Sequence, residues 1–493
     1  MADANPQEME VESPLIAAAP AHVRLTQRQR SVLVFLMFAV PFWIILVLLA
    51  ISNYPLLLAF LAGLGLLIAM YALRTEYFLI LWIAIIEYSI LLKAIGIGMV
   101  GIGIKGIFFA AVLTQLPNKF SLMPRRLFRT VPVRWPLYLF LLWTGASLFW
   151  SSYPLLGLRV YIRWILNLFL FGLVFLTVNE RNRRLLLIAF TVIVGSSVLF
   201  GFLQRFGFGI PLVDTDLFTA REFGVGHHVE MFRASGLSGH PNGLGRECMF
   251  TLSALLVILF SWRLRPVLKV AVVAMMVVTL VTIVLSYSRI AWGLFAVGLF
   301  VFLVLTRPRW LLIAAAVAVV VAVAAWPQVS ARIDPILYGT DTSMASRELA
   351  SSIYLDYWRQ SPLTGHGFGS TGGGAFYEVG IGPHEGYVYV LTYFGLIGLV
   401  LYAGLLAALV RKAWQMARSP LRHLDEETRC MMALGCAVVA MVVVEFIAGV
   451  SLYFQVWYML GLSFGSFRLA QQRVRREAMQ RQTSGAVLAP RGR

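Results

Sequence analysis

Residues 266–285 read PVLKVAVVAMMVVTLVTIVL, the short polar connection Ser286-Tyr287-Ser288-Arg289 follows, and 290–305 resume as IAWGLFAVGLFVFLVL. A helix that crosses a bilayer needs about 20 largely apolar residues, because hydrocarbon offers no water to satisfy backbone N–H and C=O groups. Two such runs joined by four polar residues form a membrane hairpin. The rest of the chain repeats the pattern. Of 493 residues, 59% are apolar and only 13% charged, too few ionisable side chains to cover a soluble body of this size.

Outward from the hairpin, about fourteen spans are expected. Seven lie at 31–51, 54–73, 77–92, 95–116, 135–150, 160–178 and 185–203, four at 243–262, 266–285, 290–305 and 310–326, and three at 387–410, 431–450 and 451–467. One broken segment or fused pair would bring the count to about twelve. The fold class is therefore an all-α polytopic membrane protein. Residues 1–30 carry Asp3, Glu8, Glu10 and Glu12 and lack an early basic stretch, so they read as a disordered cytoplasmic tail and not as a cleaved signal.

Lys and Arg number 41 against 23 Asp and Glu, a net +18. With the N-terminus inside, 29 of the 41 basic residues fall in cytoplasmic segments, including the 468–493 tail, and ten fall outside, with Lys105 and Arg163 inside helices. That bias fixes the orientation and accounts for the surplus without nucleic acid. Two long segments, 204–242 and 327–386, are then outer loops between the spanning blocks 31–203, 243–326 and 387–467. Loops of that length in a compact bundle carry function. Cys248, Cys430 and Cys436 suit neither a disulfide framework nor a zinc cage and read as packing residues.

The outer side retains many arginines against the charge rule: Arg205, Arg221, Arg233, Arg246, Arg289, Arg332, Arg347 and Arg359. Arg159 and Arg163, four apart, share one helical face. Guanidinium grips phosphate oxygens in a bidentate fork, and the plainer alternative for each is pairing with a carboxylate such as Asp214, Asp216, Glu222, Asp356 or Glu378. Arg233 leads into Gly239-His240-Pro241-Asn242-Gly243, a helix start whose N–H groups favour an anion. From Arg347 to Gln360, Leu349, Ile353, Tyr354, Tyr357 and Trp358 fall at helical spacing, predicting an amphipathic helix on the outer surface. His384 follows Gly382-Pro383, a helix-start signal, so its imidazole is placed at a positive helix end as a neutral base or as a cap. His227, His228 and Glu230 are of metal-ligating type, and Asp214-Thr215-Asp216 resembles the metal-binding pair of nucleotide-sugar transferases, but an outward-facing pair would meet no nucleotide sugar. No metal is assigned. The glycine-rich 365–374 lacks the Gly-Lys-Ser/Thr ending of a nucleotide loop and reads as a flexible turn that lets backbone approach a ligand.

In this order the residues resemble the superfamily of O-antigen ligases and Wzy-type polysaccharide polymerases. The markers are Arg233 leading to His240-Pro241-Asn242, Ser288-Arg289, Arg347 with Trp358 and Pro362-Leu363-Thr364-Gly365-His366-Gly367, then His384 and Gly395-Leu396-Ile397-Gly398. The resemblance implies a GT-C-like bundle of about 12–14 helices in the bacterial inner membrane, with a large periplasmic loop holding short amphipathic helices. It implies an inverting glycosyltransferase whose donor is a glycan on undecaprenyl diphosphate, with no cofactor. His384, Arg347 and Arg289 are its expected catalytic residues, and Arg233, Arg159, Arg163, His240, Asn242 and Glu385 its expected substrate-binding ones. Ligases usually carry Asn, Ser or Gln after the histidine and Thr after Gly-x-x-Gly, where this chain has Glu385 and Leu399. The expected reaction is therefore polymerisation of exopolysaccharide or O-antigen repeat units, with ligation to lipid A-core as the alternative and other polysaccharide assembly and export proteins as partners. A reading from another class is a transporter for a lipid-linked glycan, which would spread charges through its core helices where this chain gathers them outside.

Overall fold

The computed structural model describes residues 75–92, 131–204, 206, 234–339, 342–370, 385–448 and 453–487. The expected spans at 31–51, 54–73 and 95–116 and the tail 1–30 lie outside the described residues. Among the described residues the chain is helical, without a strand. In order the helices are α1 (Thr75–Leu92), α2 (Arg134–Ala146), α3 (Pro154–Thr177), α4 (Arg183–Gln204), α5 (Pro241–Ser261), α6 (Pro266–Leu285) and α7 (Arg289–Thr306). They continue with α8 (Trp310–Ala324), α9 (Trp326–Leu337), α10 (Thr342–Arg359), α11 (Gly386–Arg418), α12 (Glu426–Ala448) and α13 (Phe454–Val487). Seven of them, α3 to α7, α11 and α12, are long and apolar enough to cross a membrane.

Burial sorts these helices. α5 and α12 are mostly enclosed, and α12 packs on α5, α7, α11 and α13. α6 is the most apolar spanning helix yet among the least buried, so its valines face lipid. The expected final pair resolves into two helices, and the second, α13, continues unbroken through the basic tail to Val487. Cys248, Cys430 and Cys436 are free and buried, as packing residues should be.

The long loop begins as α9 and α10, and α10 does more than lie on a surface. Ala350 and Tyr354 are buried against Val388 of α11, whereas Leu349 points away. Below it, α11 is broken: Gly395 takes φ 66° and ψ −168° inside the helix. The break orphans backbone groups, and the 362–367 segment satisfies them. Leu396 and Ile397 N–H donate to the carbonyls of Pro362 (2.9 Å) and Leu363 (3.2 Å), while His366 and Gly367 N–H donate to those of Thr392 (2.9 Å) and Tyr393 (3.0 Å). Non-helical backbone at a membrane boundary is tolerated only where protein pairs it in this way.

The expected flexible glycine turn is thus corrected over residues 365–370, while 371–374 lie outside the described residues. Gly365, Gly367 and Gly369 have φ of 66°, 88° and 93° and press against backbone at 393–395, 147–151 and 153–157. The backbone they approach is the chain's own. Phe368 at the tip enters an aromatic knot with Trp164 (4.8 Å) and Phe394 (5.1 Å), which Phe140 extends.

A Cβ at Gly395 would stand 2.2 Å from the Leu363 carbonyl oxygen, on top of the left-handed strain. Gly395→Ala should therefore lower the melting temperature and folded yield of the purified protein sharply. Gly404→Ala, on the same helix with open space beside it, should leave both unchanged.

Candidate functional site

Two groups of side chains gather at the end of the bundle that carries the N-termini of α5 and α7. In the first, His240 caps α5 from extended backbone with Pro241 behind it, and its Nδ1 accepts the Asn242 N–H at 3.1 Å. That role places the ring proton on Nε2. Asn242 Oδ1 in turn accepts from the Ser288 hydroxyl at 2.7 Å, and Ser288 Oγ accepts the Ala291 N–H at 3.3 Å as the cap of α7. One buried hydroxyl therefore links two helix N-termini, with Arg289 as the first residue of α7. Two positive helix ends and a guanidinium in one place favour an anion. Tyr287, just before, sits at φ 49°, a strained conformation for a bulky side chain and one found at functional turns. Gln204 Oε1 accepts Ser235 N–H (3.1 Å) and Gly236 N–H (3.0 Å), and Ser197 Oγ accepts Leu237 N–H (2.9 Å), which pins the lead-in to His240.

The second group joins α10 to α11. Arg347 and Ser351 lie one turn apart on α10, and the Ser351 hydroxyl donates to the Glu385 carboxylate. Glu385 is the N-cap residue of α11, in extended backbone, so this helix begins at Gly386, and the expected start at Pro383 lies outside the described residues. A carboxylate there is stabilised by the helix dipole. His366, stacked on Tyr357 (3.6 Å), bonds through Nε2 to the Tyr357 carbonyl at 2.6 Å, fastening the end of α10 to the glycine turn. Burial pushes the Tyr354 hydroxyl up to about 12, which favours its protonated form. Arg159 and Arg163 are exposed one turn apart on α3, as expected, and Arg163 lies within electrostatic range of Tyr389.

Of the expected site residues, His384 and Arg233 lie outside the described residues, as do His227, His228, Glu230, Asp214 and Asp216. Arg289, His240 and Asn242 come together, and Arg347 lies one helical turn from Ser351, which bonds Glu385. Arg359 takes the plain alternative, an exposed ion pair with Asp356.

Arg246 also pairs, with a partner the loop carboxylates did not suggest. Its Nε stands 2.6 Å from Glu445 Oε1 of α12, both side chains nearly enclosed, and its guanidinium lies 4.1 Å from the Tyr453 ring centroid. The next residue, Glu247, faces the other way and accepts from Ser197 Oγ at 2.5 Å. Glu87 of α1, buried nearby, accepts from Gln455 Nε2 of α13 at 3.3 Å. Charges therefore occur inside the helices beyond the expected Lys105 and Arg163, correcting the expectation that this chain gathers them on the outer side. The signal was in the sequence: Glu87 and Glu445 each interrupt an apolar run.

A buried charge left without its partner costs about 3–5 kcal/mol, whereas apolar replacement of both partners is often neutral. Glu445→Gln should thus lower the melting temperature strongly, and Arg246→Met combined with Glu445→Leu should recover most of the loss. Equal melting of Glu445→Gln and wild type would show that the pair does not hold the bundle.

With this geometry in place, the likeness to known proteins falls on the same elements. No curated protein matches the chain. A family model described as O-antigen ligase matches residues 274–403. That segment runs from within α6, through Arg289 and Arg347, past the Glu385 cap and the Gly395 break into α11. Over residues 274–403, the stretch that carries Arg289, Arg347 and Glu385, this membrane chain is similar to O-antigen ligases.

Proposed function

We propose that the protein is an inverting glycosyltransferase of the bacterial inner membrane that polymerises exopolysaccharide or O-antigen repeat units at the periplasmic face. The donor is a glycan on undecaprenyl diphosphate. The family match supports a membrane glycan ligase or polymerase, and the observation that carries the finer reading is the Ser351–Glu385 hydrogen bond. It holds the helix bearing Arg347 against the cap of α11, and His384 is the residue next to that cap.

In the reaction, an acceptor hydroxyl attacks the anomeric carbon of the donor as His384 takes its proton. The carbon–oxygen bond to the diphosphate breaks on the opposite face, which inverts the configuration. The leaving diphosphate takes up negative charge, and arginine forks neutralise it. Arg289, between two helix N-termini, and Arg347, above α11, are assigned that work, with Arg233, Arg159 and Arg163 guiding the anionic carrier and His240 and Asn242 shaping the pocket. Glu385, whose carboxylate is engaged by Ser351, meets the acceptor sugar or orients the imidazole. It also favours polymerisation, because a carboxylate beside the base repels a heavily phosphorylated lipid A-core and tolerates a sugar hydroxyl.

The direct test incubates purified protein with a lipid-linked repeat unit and follows glycan length. Longer chains are expected; transfer only to lipid A-core would assign the ligase reaction, and no transfer would remove the proposal. His384→Ala should cut the rate about 10²–10⁴-fold with expression and donor binding intact, the usual contribution of a general base. Arg289→Lys and Arg347→Lys should each be impaired nearly as much as the alanine variants, since ammonium cannot reproduce the fork. Wild-type rates with lysine at both positions would reduce them to general attractors. A cysteine placed at Thr371 should react with an impermeant thiol reagent in spheroplasts if the 327–386 loop is periplasmic.

A further inference from the structure

At the opposite end of the bundle from Asn242 and Arg289, a cavity of about 360 Å³ opens between the start of α4, the turn before α12 and the middle of α13. Four arginines line it: Arg181, Arg183, Arg184 and Arg473. Glu427, nearly sealed beneath, meets Arg183 Nε at 2.6 Å and Arg184 NH2 at 2.7 Å. One carboxylate cannot neutralise two guanidiniums. Arg473 reaches Asp425 at 3.5 Å and Glu477 at 3.2 Å, half-exposed pairs of the kind that contribute little. Arg181 makes no ion pair among the described residues. Glu180 and Asp425 are the acidic lining residues, so the wall carries an excess of positive charge.

The helix N-terminus itself is not the attraction. Asn179 Oδ1 and Asn182 Oδ1 already accept the N–H groups of Asn179, Arg181 and Asn182 at 2.9–3.1 Å. The side chains define the site, and its depth defines the ligand. Leu424, Leu469 and Ala470 form an apolar wall, and the Arg184 guanidinium lies 5.5 Å from the Trp262 ring centroid, a pairing suited to the membrane–water boundary. Forked donors above an apolar wall at that boundary match a phosphate group, and basic pockets between spanning helices hold phospholipid head groups by this chemistry.

We propose that this cavity is a phosphate-binding site, separate from the diphosphate site at the other end. An anionic phospholipid and free phosphate share the chemistry and differ in whether the apolar wall is used. The test uses the full chain in non-ionic detergent and reads lipid retention by native mass spectrometry and the melting temperature on adding inorganic phosphate, phosphatidylglycerol or phosphatidylcholine. Phosphatidylglycerol should be retained over phosphatidylcholine and raise the melting temperature. Arg181→Gln combined with Arg473→Gln should weaken that effect about tenfold or more, the loss expected for charge-assisted contacts. Arg475→Gln with Arg476→Gln removes the same charge from exposed positions of α13 outside the cavity and should leave the effect unchanged. Stabilisation by phosphate equal to that by phosphatidylglycerol assigns the site to free anion. Equal losses in the two double variants, or no preference over phosphatidylcholine, would overturn the proposal.

Discussion

The exchange of backbone hydrogen bonds across the Gly395 break is the constraint on which the architecture at this end of the bundle rests. A helix interrupted at a membrane boundary must find donors and acceptors for the groups it frees, or each remains desolvated at a cost. Here the 362–367 segment supplies all four partners. Because that segment follows α10 directly, solving the backbone problem also fixes where α10 sits, and with it the face that carries Arg347 and Ser351. Glycines at 365, 367 and 395 are the only residues that permit so close an approach. The aromatic knot around Phe368 then seals the joint with apolar contact, independent of any ligand.

A second constraint lies at the same end of the bundle, within α5. Arg246 and Glu247 are adjacent and therefore project to different sides of one helix. The first engages α12 and the tyrosine before α13, the second engages α4. Buried pairs of this kind contribute little net stability, but they penalise any rotation of α5 that would part them. Such rotation would also move the N-terminus of α5, where His240 and Asn242 meet Ser288. The polar layer thus sets the register of the helix ends that face the candidate site.

Apolar runs were legible because membrane thickness imposes their length. Residues 266–285 form a helix with those bounds, and 290–305 and 243–262 shift by only one or two residues. The start of α3 at Pro154, six residues before the expected span, followed proline at the first helical turn and not hydropathy. The Gly395 break was not legible, since a Gly-x-x-Gly pattern inside an apolar run also suits an unbroken helix, and the partners that permit the break lie some thirty residues earlier. Leu349 misled for a related reason: its spacing fits the apolar face of α10, but the surface that receives the helix is α11, which takes Ala350 and Tyr354. The arginines were legible as a set and not singly, because which of them pairs internally depends on carboxylates from distant helices.

α8 carries a consequence for the bilayer itself. It is bracketed by Trp310 and Trp326, both well exposed, and tryptophans of this kind settle at head-group depth. The 15 residues of α8 rise only about 22 Å, against roughly 30 Å for an ordinary hydrocarbon core. α8 is shorter than the seven spanning helices, so were it to cross, lipid beside it would have to thin to keep both rings at its surfaces, at a cost of fractions of a kcal/mol per Å. α8 passes almost directly into α9, so such a dip would lie at the start of the long loop. Under the proposed function, a carrier lipid arriving there would have its diphosphate lowered toward the helix ends, and the membrane's shape would do part of the positioning that otherwise falls to side chains.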